Sequence, residues 1–481
     1  MNRRYPWAYP AMVLTVLGAA CAHADDWPML RHDLQRSGRS ADCVGPPYTQ
    51  AWVAVFADEI ITTRSEPIVA GGRVFVGTYS ARLHCLDAQT GRPHWTADLQ
   101  GPILHAPAVS DATVYCASLS GVWALDMASG KVRWRSEATP GGYCTSPAVT
   151  QGLVLLGGRD GVFRALAADS GELRWSLATE GPIRTTAAVE AGRVYFASDD
   201  MRAYAADLAT GALRWRSEKL FGQSLRDYYP VLAGKRLVLR SNPAVHFASR
   251  IHEDGALLCK LAGLPDNRWQ SVDALLKSDR VFASPEAIRR EQEAILEHLQ
   301  RRPQARTCFL LDLDTGRETA RAPVLYVGGC NGVAPPPVVL DDGRLLIMYR
   351  SACSNFTHGV APLVGLGFLD SESGWIEPIY HDHGRQPPWN TFWGTADEAQ
   401  NFSLGGDLLY IAHQGTLSSL DLKTKRLMRI AGNRDTWGGL PGVGWTLNEW
   451  HGPARGSAAV AGDMLYWITG SRVIAVRGRK R

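Results

Sequence analysis

Hydrophobic and polar positions alternate over short stretches that recur about every 40 residues along the first half of the chain. Each copy has an alternating run, then a Thr-Gly or Ser-Gly pair, then a tryptophan four residues after the glycine. The clearest copies end at Trp95, Trp134, Trp175 and Trp215. A period of two predicts β-strands, and the glycine supplies the positive φ of a tight turn. Each copy therefore predicts four short antiparallel strands.

Weaker copies of this turn follow at 311–316, 369–374 and 420–424, and a last strand pair lies at 465–469 and 472–476. This last unit lacks its fourth strand and its tryptophan. The alternating run 51–56 near the N-terminus contains Trp52 and can supply both. The pattern predicts an all-β fold, an eight-bladed β-propeller of four-stranded antiparallel blades that an N-terminal strand closes. An open solenoid is the alternative, but it does not need a strand from the opposite end.

The first 24 residues have the pattern of a secretory leader. Arg3 and Arg4 precede an apolar run over 11–20, and Ala22-His23-Ala24 fits a cleavage signal. The run has half of the ~20 residues that a membrane-spanning helix needs. We expect a signal peptide over 1–24, a single propeller domain over 25–481 and a secreted or periplasmic bacterial protein. Lipid attachment at Cys21 is a lesser alternative.

Composition narrows the function classes. The 481 residues are 45% hydrophobic and 20% charged, which is typical of a globular protein. The net charge of +4 arises from 51 basic and 47 acidic side chains. So small an excess predicts no nucleic-acid-binding face. The sequence favours a monomer with no transmembrane segment in the mature chain.

Residues 250–307 interrupt the repeat. Ser284 followed by Pro285 is typical of a helix start, and Ile288, Ile295 and Leu299 form an apolar stripe. These features predict a helix over about 285–302, within a small helical insertion. It can be a lid packed on one blade or an element that docks a partner.

Eight cysteines remain after the leader, in an oxidising compartment. If Asp341-Asp342 forms a hairpin turn, Cys330 and Cys353 lie opposite each other and can form a disulfide. Cys259 and Cys308 bracket the insertion and can staple its base. For Cys43, Cys85, Cys116 and Cys144, pairing and buried free thiols are equally open.

Segment 124–134 resembles the repeat of the pyrroloquinoline-quinone (PQQ) dehydrogenase-like propellers; its sequence is Ala-Leu-Asp-Met-Ala-Ser-Gly-Lys-Val-Arg-Trp. The segments Asp26-Trp27-Pro28 and Arg36-Ser37-Gly38 also resemble the opening of many secreted members. This resemblance implies the propeller fold. It implies either a quinone-dependent alcohol or sugar dehydrogenase or a non-catalytic member, such as an assembly factor for outer-membrane barrels. Many such dehydrogenases have a pair of adjacent cysteines, which this chain lacks. The cofactor is therefore not assigned, and the cysteines do not support PQQ with calcium.

Residues just before each innermost strand line one mouth of a propeller's central channel. Alignment of the repeats places eight candidate ligand-binding residues there: Arg64, His105, Thr145, Arg184, Asp227, Tyr228, Glu398 and Arg455. Arginines beside carboxylates suit an anionic ligand, such as a tricarboxylate quinone or an acidic sugar. Structural ion pairs that close the pore are the competing interpretation.

His381 and His383 share one face of an extended segment, a spacing that can bind a metal ion, but the sequence favours histidines of a surface loop. The first hypothesis is an extracytoplasmic module that binds a small-molecule or carbohydrate ligand or scaffolds another envelope protein. The second is a quinoprotein oxidoreductase with PQQ at the mouth and Asp227 or Glu398 as general base. The third is a carbohydrate-active enzyme that uses the same mouth.

Overall fold

The computed structural model describes residues 26–62, 65–225, 229–242, 257, 285–327, 336–352, 363–381, 401–413, 416–431, 457–469 and 471–481. Its strands form eight sheets in a ring, each built mainly from four antiparallel strands. The predicted eight-bladed β-propeller is therefore confirmed. We number the blades 1 to 8 along the chain, starting at Ile68.

Blades 1 to 4 follow the repeat closely, and in each the innermost strand comes first. Blade 1 has strands Ile68–Ala70, Arg73–Gly77, Arg82–Asp87 and Pro93–Asp98, and blade 2 has Ala108–Ser110, Thr113–Ser118, Gly121–Asp126 and Val132–Glu137. Blade 3 has Ala148–Thr150, Leu153–Gly157, Val162–Ala167 and Leu173–Ala178, and blade 4 has Ala188–Glu190, Arg193–Ser198, Arg202–Asp207 and Leu213–Arg216.

Blades 5 to 8 are less regular. Blade 5 has strands Val231–Ala233, Arg236–Arg240, Cys308–Asp312 and Glu318–Ala320, and blade 6 has Leu325–Val327, Val338–Val339, Leu345–Ala352, Leu363–Leu369 and Ile376–His381. Blade 7 has Asn401–Gly405, Leu408–His413, Thr416–Asp421 and Leu427–Ala431, joined by Arg39–Ser40. Blade 8 has Ala459–Ala461, Met464–Thr469 and Arg472–Lys480, and Val44–Val55 is its fourth strand.

The recurrent aspartate fixes the turn between the third and fourth strands. In blade 2, Asp126 Oδ1 accepts hydrogen bonds from the Ser129 amide at 2.9 Å and the Ser129 hydroxyl at 2.7 Å. Gly130 then takes φ of 70°, the left-handed region that favours glycine. Hydrogen bonds from Arg133 and Ser129 lower the pKa of the Asp126 carboxyl well below its usual range. The ionised turn is therefore the stable form at neutral pH.

Each recurrent tryptophan joins its blade to the next one. The indole Nε1 of Trp175 in blade 3 donates to the carbonyl of Leu208 in blade 4 at 3.0 Å. A Cβ on Gly211 would come within 2.5 Å of the Trp175 ring, so only glycine leaves room for this contact. The same bond recurs at four other interfaces, from Trp52 to Ala88, Trp95 to Met127, Trp134 to Ala168 and Trp215 to Leu313.

The ring closes as predicted, with the strand that contains Trp52 completing the last blade. Val44–Val55 pairs antiparallel with Arg472–Lys480, and Trp52 lies opposite Ala475. The tryptophan contacts thus run without a break from blade 8 through blades 1 to 5. In blades 5, 6 and 7 the positions equivalent to the tryptophan, four residues after the last residue of the turn, hold Ala320, Pro378 and Arg429. The interfaces of blades 5 to 8 must be stabilised in another way.

Residues 26–42, which we call the inner strap, run around the central channel against the innermost strands. Five of its carbonyl groups each accept a hydrogen bond, 2.8–3.0 Å long, from a backbone amide of an innermost strand. The carbonyls of Pro28, Leu34, Gln35, Ser37 and Gly38 accept from the amides of Val109, Val189, Leu232, Val339 and Leu404, respectively. Trp27 exchanges two bonds with Val69 in blade 1. The strap therefore contacts the inner edges of blades 1, 2, 4, 5, 6 and 7.

Arg31 of the strap connects the three blades that follow the last tryptophan contact. Its Nη2 donates to the Pro337 carbonyl of blade 6 at 3.0 Å, and its Nη1 donates to the Phe402 carbonyl of blade 7. The same Nη1 lies 2.6 Å from the Ser457 hydroxyl, just before blade 8. The side chain is fully buried. One guanidinium thus crosslinks the sector without tryptophans.

The helix Pro285–Arg301 lies between the second and third strands of blade 5 and packs on blade 6. Ile295 and Leu299 are buried. The Gln292 side chain bonds both the carbonyl and the amide of Ile376, at 2.7 and 3.1 Å. These contacts match the lid interpretation, and the helix adds a link between blades 5 and 6.

The hairpin of blade 6 has a different register from the expected one. Val338 pairs with Leu346 and Val339 with Leu345, one residue away from the register of a turn centred on Asp341-Asp342. The longer loop includes Gly343 with φ of 81°. Cys330 and Cys353 lie outside the described residues, so their disulfide stays a prediction.

The described cysteines are buried in the blades. Cys43, Cys85 and Cys116 have free thiols, and burial raises the pKa of Cys85 to about 12. Cys144 is buried as well. Cys308 also has a free thiol, packed among side chains between blades 5 and 6, and its expected bond to Cys259 stays a prediction. Cys259 itself lies outside the described residues.

Replacing a linking tryptophan tests the blade contacts. Trp175→Ala removes a ring that is 8% exposed and leaves the Leu208 carbonyl without its donor. We expect a loss of about 3–5 kcal/mol in the free energy of unfolding, measured by urea denaturation. The control Leu173→Ala changes an exposed side chain of the same strand and should cost less than about 0.5 kcal/mol. Equal losses in the two variants would contradict this role.

Replacing Arg31 tests the strap. Arg31→Met keeps an aliphatic stem but leaves the carbonyls of Pro337 and Phe402 buried without their donor. We expect the unfolding free energy to fall by about 2–4 kcal/mol. Arg135→Met, which changes an exposed arginine, is the control and should have little effect. A stable Arg31→Met protein would show that blades 6 to 8 close without the guanidinium.

Candidate functional site

The inner strap forms the floor of the channel mouth where the innermost strands begin. Its two ends lie at the opposite opening, because Asp26 Oδ2 accepts from Gly71 at 3.1 Å and Asp42 Oδ2 from Gly462 at 2.6 Å, and both glycines follow innermost strands. Between these ends, Arg31, His32 and Arg36 have φ of 61°, 78° and 62°. These left-handed residues turn the strap sharply. Arg31 reaches the carbonyl of Pro337 and Arg36 that of Ala187, each just before an innermost strand, so their guanidiniums lie on the mouth side.

Arg36 is fully buried at this floor. Its Nε donates to the Ala187 carbonyl at 2.9 Å, and its Nη1 donates to the Leu30 carbonyl at 2.8 Å. The Asp33 carbonyl accepts a second bond from Nη1 at 3.2 Å. Burial lowers the pKa of Arg36 to about 10, against the opposing effect of nearby acidic groups. The guanidinium therefore stays charged at neutral pH.

Glu66 and Tyr229 complete the described floor. Glu66 lies just before the first strand of blade 1, and its Oε1 accepts from the Trp27 indole at 3.2 Å and from the Arg31 amide. Burial raises the pKa of the Glu66 carboxyl. The Tyr229 ring lies 6.0 Å from the Arg31 guanidinium carbon, and burial raises the pKa of its hydroxyl. The floor thus combines two buried guanidiniums with the carboxyls of Asp33 and Glu66 and one phenol.

Three of the predicted mouth residues are described. Arg184 Nε lies 3.0 Å from Asp199 Oδ2, so this arginine forms an ion pair of the kind that the competing interpretation expected. Thr145 is buried and donates to the Gly157 carbonyl at 3.3 Å. His105 is half-buried. The other five, Arg64, Asp227, Tyr228, Glu398 and Arg455, lie outside the described residues and stay predictions.

The predicted metal site receives no support from the described part of the chain. His381 ends the outer strand of blade 6, and His383 lies outside the described residues. Within those residues, no three His, Cys, Asp or Glu side chains are grouped so that they could hold a metal ion. Nor does any helix there have the length and apolar character needed to cross a bilayer.

Reasoning from the repeat missed the floor residues. Arg31 and Arg36 belong to a segment that occurs once, so no periodic signal marks them. Glu66 and Tyr229 are close in sequence to the predicted Arg64 and Tyr228, within the error of the repeat alignment. The available signal was the opening motif around Arg36-Ser37-Gly38, which carries two of the strap's bonds to blades 6 and 7.

The outer strands present a second candidate surface, which we call the outer row. Val132, Leu173 and Leu213 begin the fourth strands of blades 2, 3 and 4 and are 50%, 57% and 48% exposed. Each precedes a bulged arginine. Arg133 and Arg214 pair with their turn aspartates at 2.7 Å, whereas blade 3 has Ala167 in place of that aspartate. Each of the three blades thus presents one exposed apolar side chain next to an arginine at the same position of its outer strand.

Comparison with known proteins places these features in a family. The family model described as "Outer membrane protein assembly factor BamB" matches residues 49–187, 120–242 and 159–348, which together span more than half of the chain. The overlapping matches reflect the repeat.

Two curated proteins match shorter stretches. One is the serine/threonine-protein kinase AfsK of Streptomyces griseus, 34% identical over 118 residues, which are 22% of this chain and 14% of the kinase. The other is the outer membrane protein assembly factor BamB of Alkalilimnicola ehrlichii, 28% identical over 112 residues, which are 23% of this chain and 28% of that protein. The match thus spans under a third of each relative.

Solved structures match over nearly the whole chain. BamB from Moraxella catarrhalis gives a TM-score of 0.52 at 13% identity, with 89% of this chain and 99% of that chain covered. The quinohemoprotein alcohol dehydrogenase from Comamonas testosteroni gives 0.57 at 12% identity, covering 95% and 81%. A europium-containing methanol dehydrogenase gives 0.56 at 11% identity, covering 94% and 98%.

At such identities these neighbours support the fold alone, because one propeller architecture serves both an assembly factor and dehydrogenases. The family match rests on sequence and extends over the Trp-linked blades. The chain therefore belongs to the family of PQQ-like β-propeller repeat proteins whose model is described as the outer membrane protein assembly factor BamB.

Proposed function

We propose that this protein is a scaffold of the bacterial cell envelope that holds another envelope protein through the outer row. The observation that carries the proposal is the exposure of Val132, Leu173 and Leu213 at equivalent positions of three consecutive blades. Their even placement on a Trp-linked, rigid sector offers a preorganised contact surface. Membership of a family described by an assembly factor supports this choice, as does a leader over 1–24 that would direct export.

Blade 3 is the centre of this surface. Leu173 is the most exposed of the three side chains, and Arg174 follows it without the turn aspartate that Arg133 and Arg214 bind. Burial of exposed apolar area under a partner is favourable by about 25 cal/mol per Å². An arginine whose charge is not neutralised within its own turn can pair with a partner carboxylate. The surface therefore fits a partner segment with apolar and acidic side chains.

The quinoprotein alternative fits the described floor less well. Arg31 and Arg36 offer donors that suit the carboxylates of a quinone. Among the described residues, no three His, Cys, Asp or Glu side chains are grouped so that they could hold a metal ion beside a quinone. Trp27, Arg31 and Arg36 are themselves fully buried at the level of the innermost strands. We therefore derive no redox step.

Site-specific photo-crosslinking in the native bacterium tests the scaffold. A benzophenone amino acid at Val132, Leu173 or Leu213 should give one common crosslinked partner. The same probe at Ser176, an exposed polar position on the strand of Leu173, should not. Leu173→Asp should reduce crosslinking from position 132 by about tenfold or more, because a charge is forced into an apolar contact.

The contradicting result is a partner band that is equally strong from position 176, or one that survives Leu173→Asp. Thermal unfolding of Leu173→Asp should match the wild type, which separates lost binding from lost folding. Titration of the mature protein with PQQ and calcium tests the alternative. Saturable binding together with cofactor-dependent dye reduction by alcohols or sugars would establish the oxidoreductase and overturn the scaffold as the main function.

A further inference from the structure

A chain of hydrogen bonds in blade 1 joins a buried carboxylate to an exposed hydroxyl through one histidine. Glu59 Oε2 lies 2.9 Å from His84 Nε2, and His84 Nδ1 lies 3.0 Å from Thr96 Oγ1. The side chains of Glu59 and His84 are 8% and 10% exposed, whereas Thr96 is an exposed residue. The Phe56 ring packs on the imidazole, with the ring centroids 4.5 Å apart. The imidazole is thus held in one orientation, with Nδ1 facing a hydroxyl at the surface.

Glu59 determines which nitrogen of His84 carries the proton. Its carboxylate also accepts from Thr78 Oγ1 at 2.7 Å and from Arg82 Nη1 at 2.9 Å. Burial opposes ionisation of the carboxyl, but the hydrogen bonds from His84, Thr78 and Arg82 outweigh burial and lower its pKa. An ionised carboxylate only accepts hydrogen bonds, so Nε2 must carry the proton. In the neutral imidazole Nδ1 is then an acceptor, and the Thr96 hydroxyl donates to it.

The charges near this chain of hydrogen bonds are mostly negative. Asp98 lies opposite Arg82 in the neighbouring strand. Asp98 and Asp58 both attract the Arg82 guanidinium, as Glu59 does. Three carboxylates therefore surround one arginine. Such surroundings stabilise the imidazolium that forms when His84 takes up a proton, and they favour a neutral or cationic substrate over an anionic one.

The other regular blades keep the backbone of this site but not its side chains. In blade 1, Thr96 follows the linking tryptophan and lies opposite His84. The equivalent cross-strand pairs of blades 2, 3 and 4 are Arg135 with Trp123, Ser176 with Arg164, and Arg216 with Tyr204. The blade fold therefore does not require a histidine beside a hydroxyl at these positions.

The backbone amide of Thr96 is a second donor beside its hydroxyl. The Leu99 amide donates to the Ala81 carbonyl at 2.8 Å, so these two residues form a hydrogen-bonded pair. Bonded and non-bonded pairs alternate along antiparallel strands, which makes His84 and Thr96 a non-bonded pair. The Thr96 amide thus points away from the neighbouring strand. Because Pro93–Asp98 is the outermost strand of the blade, this amide faces the open edge.

We propose that blade 1 carries an esterase site in which Thr96 is the nucleophile, His84 the general base and Glu59 the residue that positions the imidazole. The three groups stand in the order of the Ser-His-Asp triad, with the two ring nitrogens exchanged. The substrate class is a small neutral ester. This activity goes beyond the proposed scaffold, and the site lies outside the outer row, so either can fail without the other.

The reaction has two steps. Thr96 Oγ1 attacks the ester carbonyl carbon while its proton moves to His84 Nδ1, and the carbonyl oxygen becomes an oxyanion beside the Thr96 amide. Collapse of this adduct breaks the bond to the leaving alcohol, which takes the proton from His84, and acyl-Thr96 remains. A water molecule then gives its proton to His84 and attacks the acyl carbon. This second step releases the carboxylic acid and restores the Thr96 hydroxyl.

Hydrolysis of p-nitrophenyl acetate by the mature full-length protein tests the site. The wild type should release nitrophenol catalytically, and peptide mass spectrometry after an acid quench should find an acetyl group on Thr96. Thr96→Val keeps the shape of the side chain without its hydroxyl, so acetylation and turnover should fall to the rate in buffer. Thr96→Ser keeps the hydroxyl and should stay active. His84→Gln should lower kcat by about a hundredfold or more.

Variants of Glu59 separate positioning from folding. Glu59→Gln should lower kcat with little change in KM, because the amide no longer fixes the proton on Nε2. Glu59→Asp keeps a carboxylate and should retain more activity than Glu59→Gln. Thermal unfolding identifies any variant that fails to fold. Thr96→Val changes an exposed residue, so it decides the test even if the Glu59 variants are unstable.

Ser176 is the matched internal control, since it presents an exposed hydroxyl at the equivalent position of blade 3, opposite Arg164 instead of a histidine. It should carry no acetyl group under the same conditions. Three results would overturn the proposal. They are a folded wild type that hydrolyses the ester no faster than buffer, an acetyl group found equally on Ser176, and a Thr96→Val protein as active as the wild type.

Discussion

The hydrogen bonds between the inner strap and the innermost strands are the constraint on which the closed ring depends. A propeller must satisfy every interface around the circle, since one open seam exposes the edges of two blades. Five interfaces here share the same contact, an indole over a glycine turn. The remaining sector has lost that residue at Ala320, Pro378 and Arg429. There the strap, with Arg31 bridging three blades, takes over the linking role.

The two kinds of blade contact, by tryptophan and by the strap, coincide with the two candidate functional surfaces. The tryptophan-linked blades carry the outer row, so the proposed protein contact sits on the most regular part of the wheel. The strap lies against the innermost strands and places two buried guanidiniums, those of Arg31 and Arg36, at the mouth. Arg36 belongs to this floor because the left-handed turns of the strap direct its guanidinium toward the mouth. One segment thereby contributes both to closure and to the chemistry of the mouth.

The architecture could be predicted from the sequence because the repeat carries it. The blades are specified by the alternation of hydrophobic and polar positions, by the Asp and Gly of the turn, and by the spacing from Trp95 to Trp215. Trp52 specifies how the ring closes. The strap could not be predicted, because a segment that occurs once has no periodicity and its bonds come from backbone carbonyls. The blade 6 register was missed by one residue because the length of its turn is set by Gly343 rather than by Asp341-Asp342. At the mouth, Arg184 pairs with Asp199, a partner that the spacing of the repeats could not identify.

Amide hydrogen exchange of the wild-type protein tests whether the strap holds the sector without tryptophans. The amides of Val339 and Leu404 donate to the strap carbonyls of Ser37 and Gly38 at 2.9 Å. If the strap holds the sector without tryptophans, these two amides should exchange only through global unfolding. They should then exchange as slowly as the Leu208 amide of the tryptophan-linked blade 4, which donates to the Gly192 carbonyl within its own blade at 2.9 Å. Exchange of Val339 and Leu404 at the rate of exposed loop amides, with Leu208 still protected, would contradict this role of the strap.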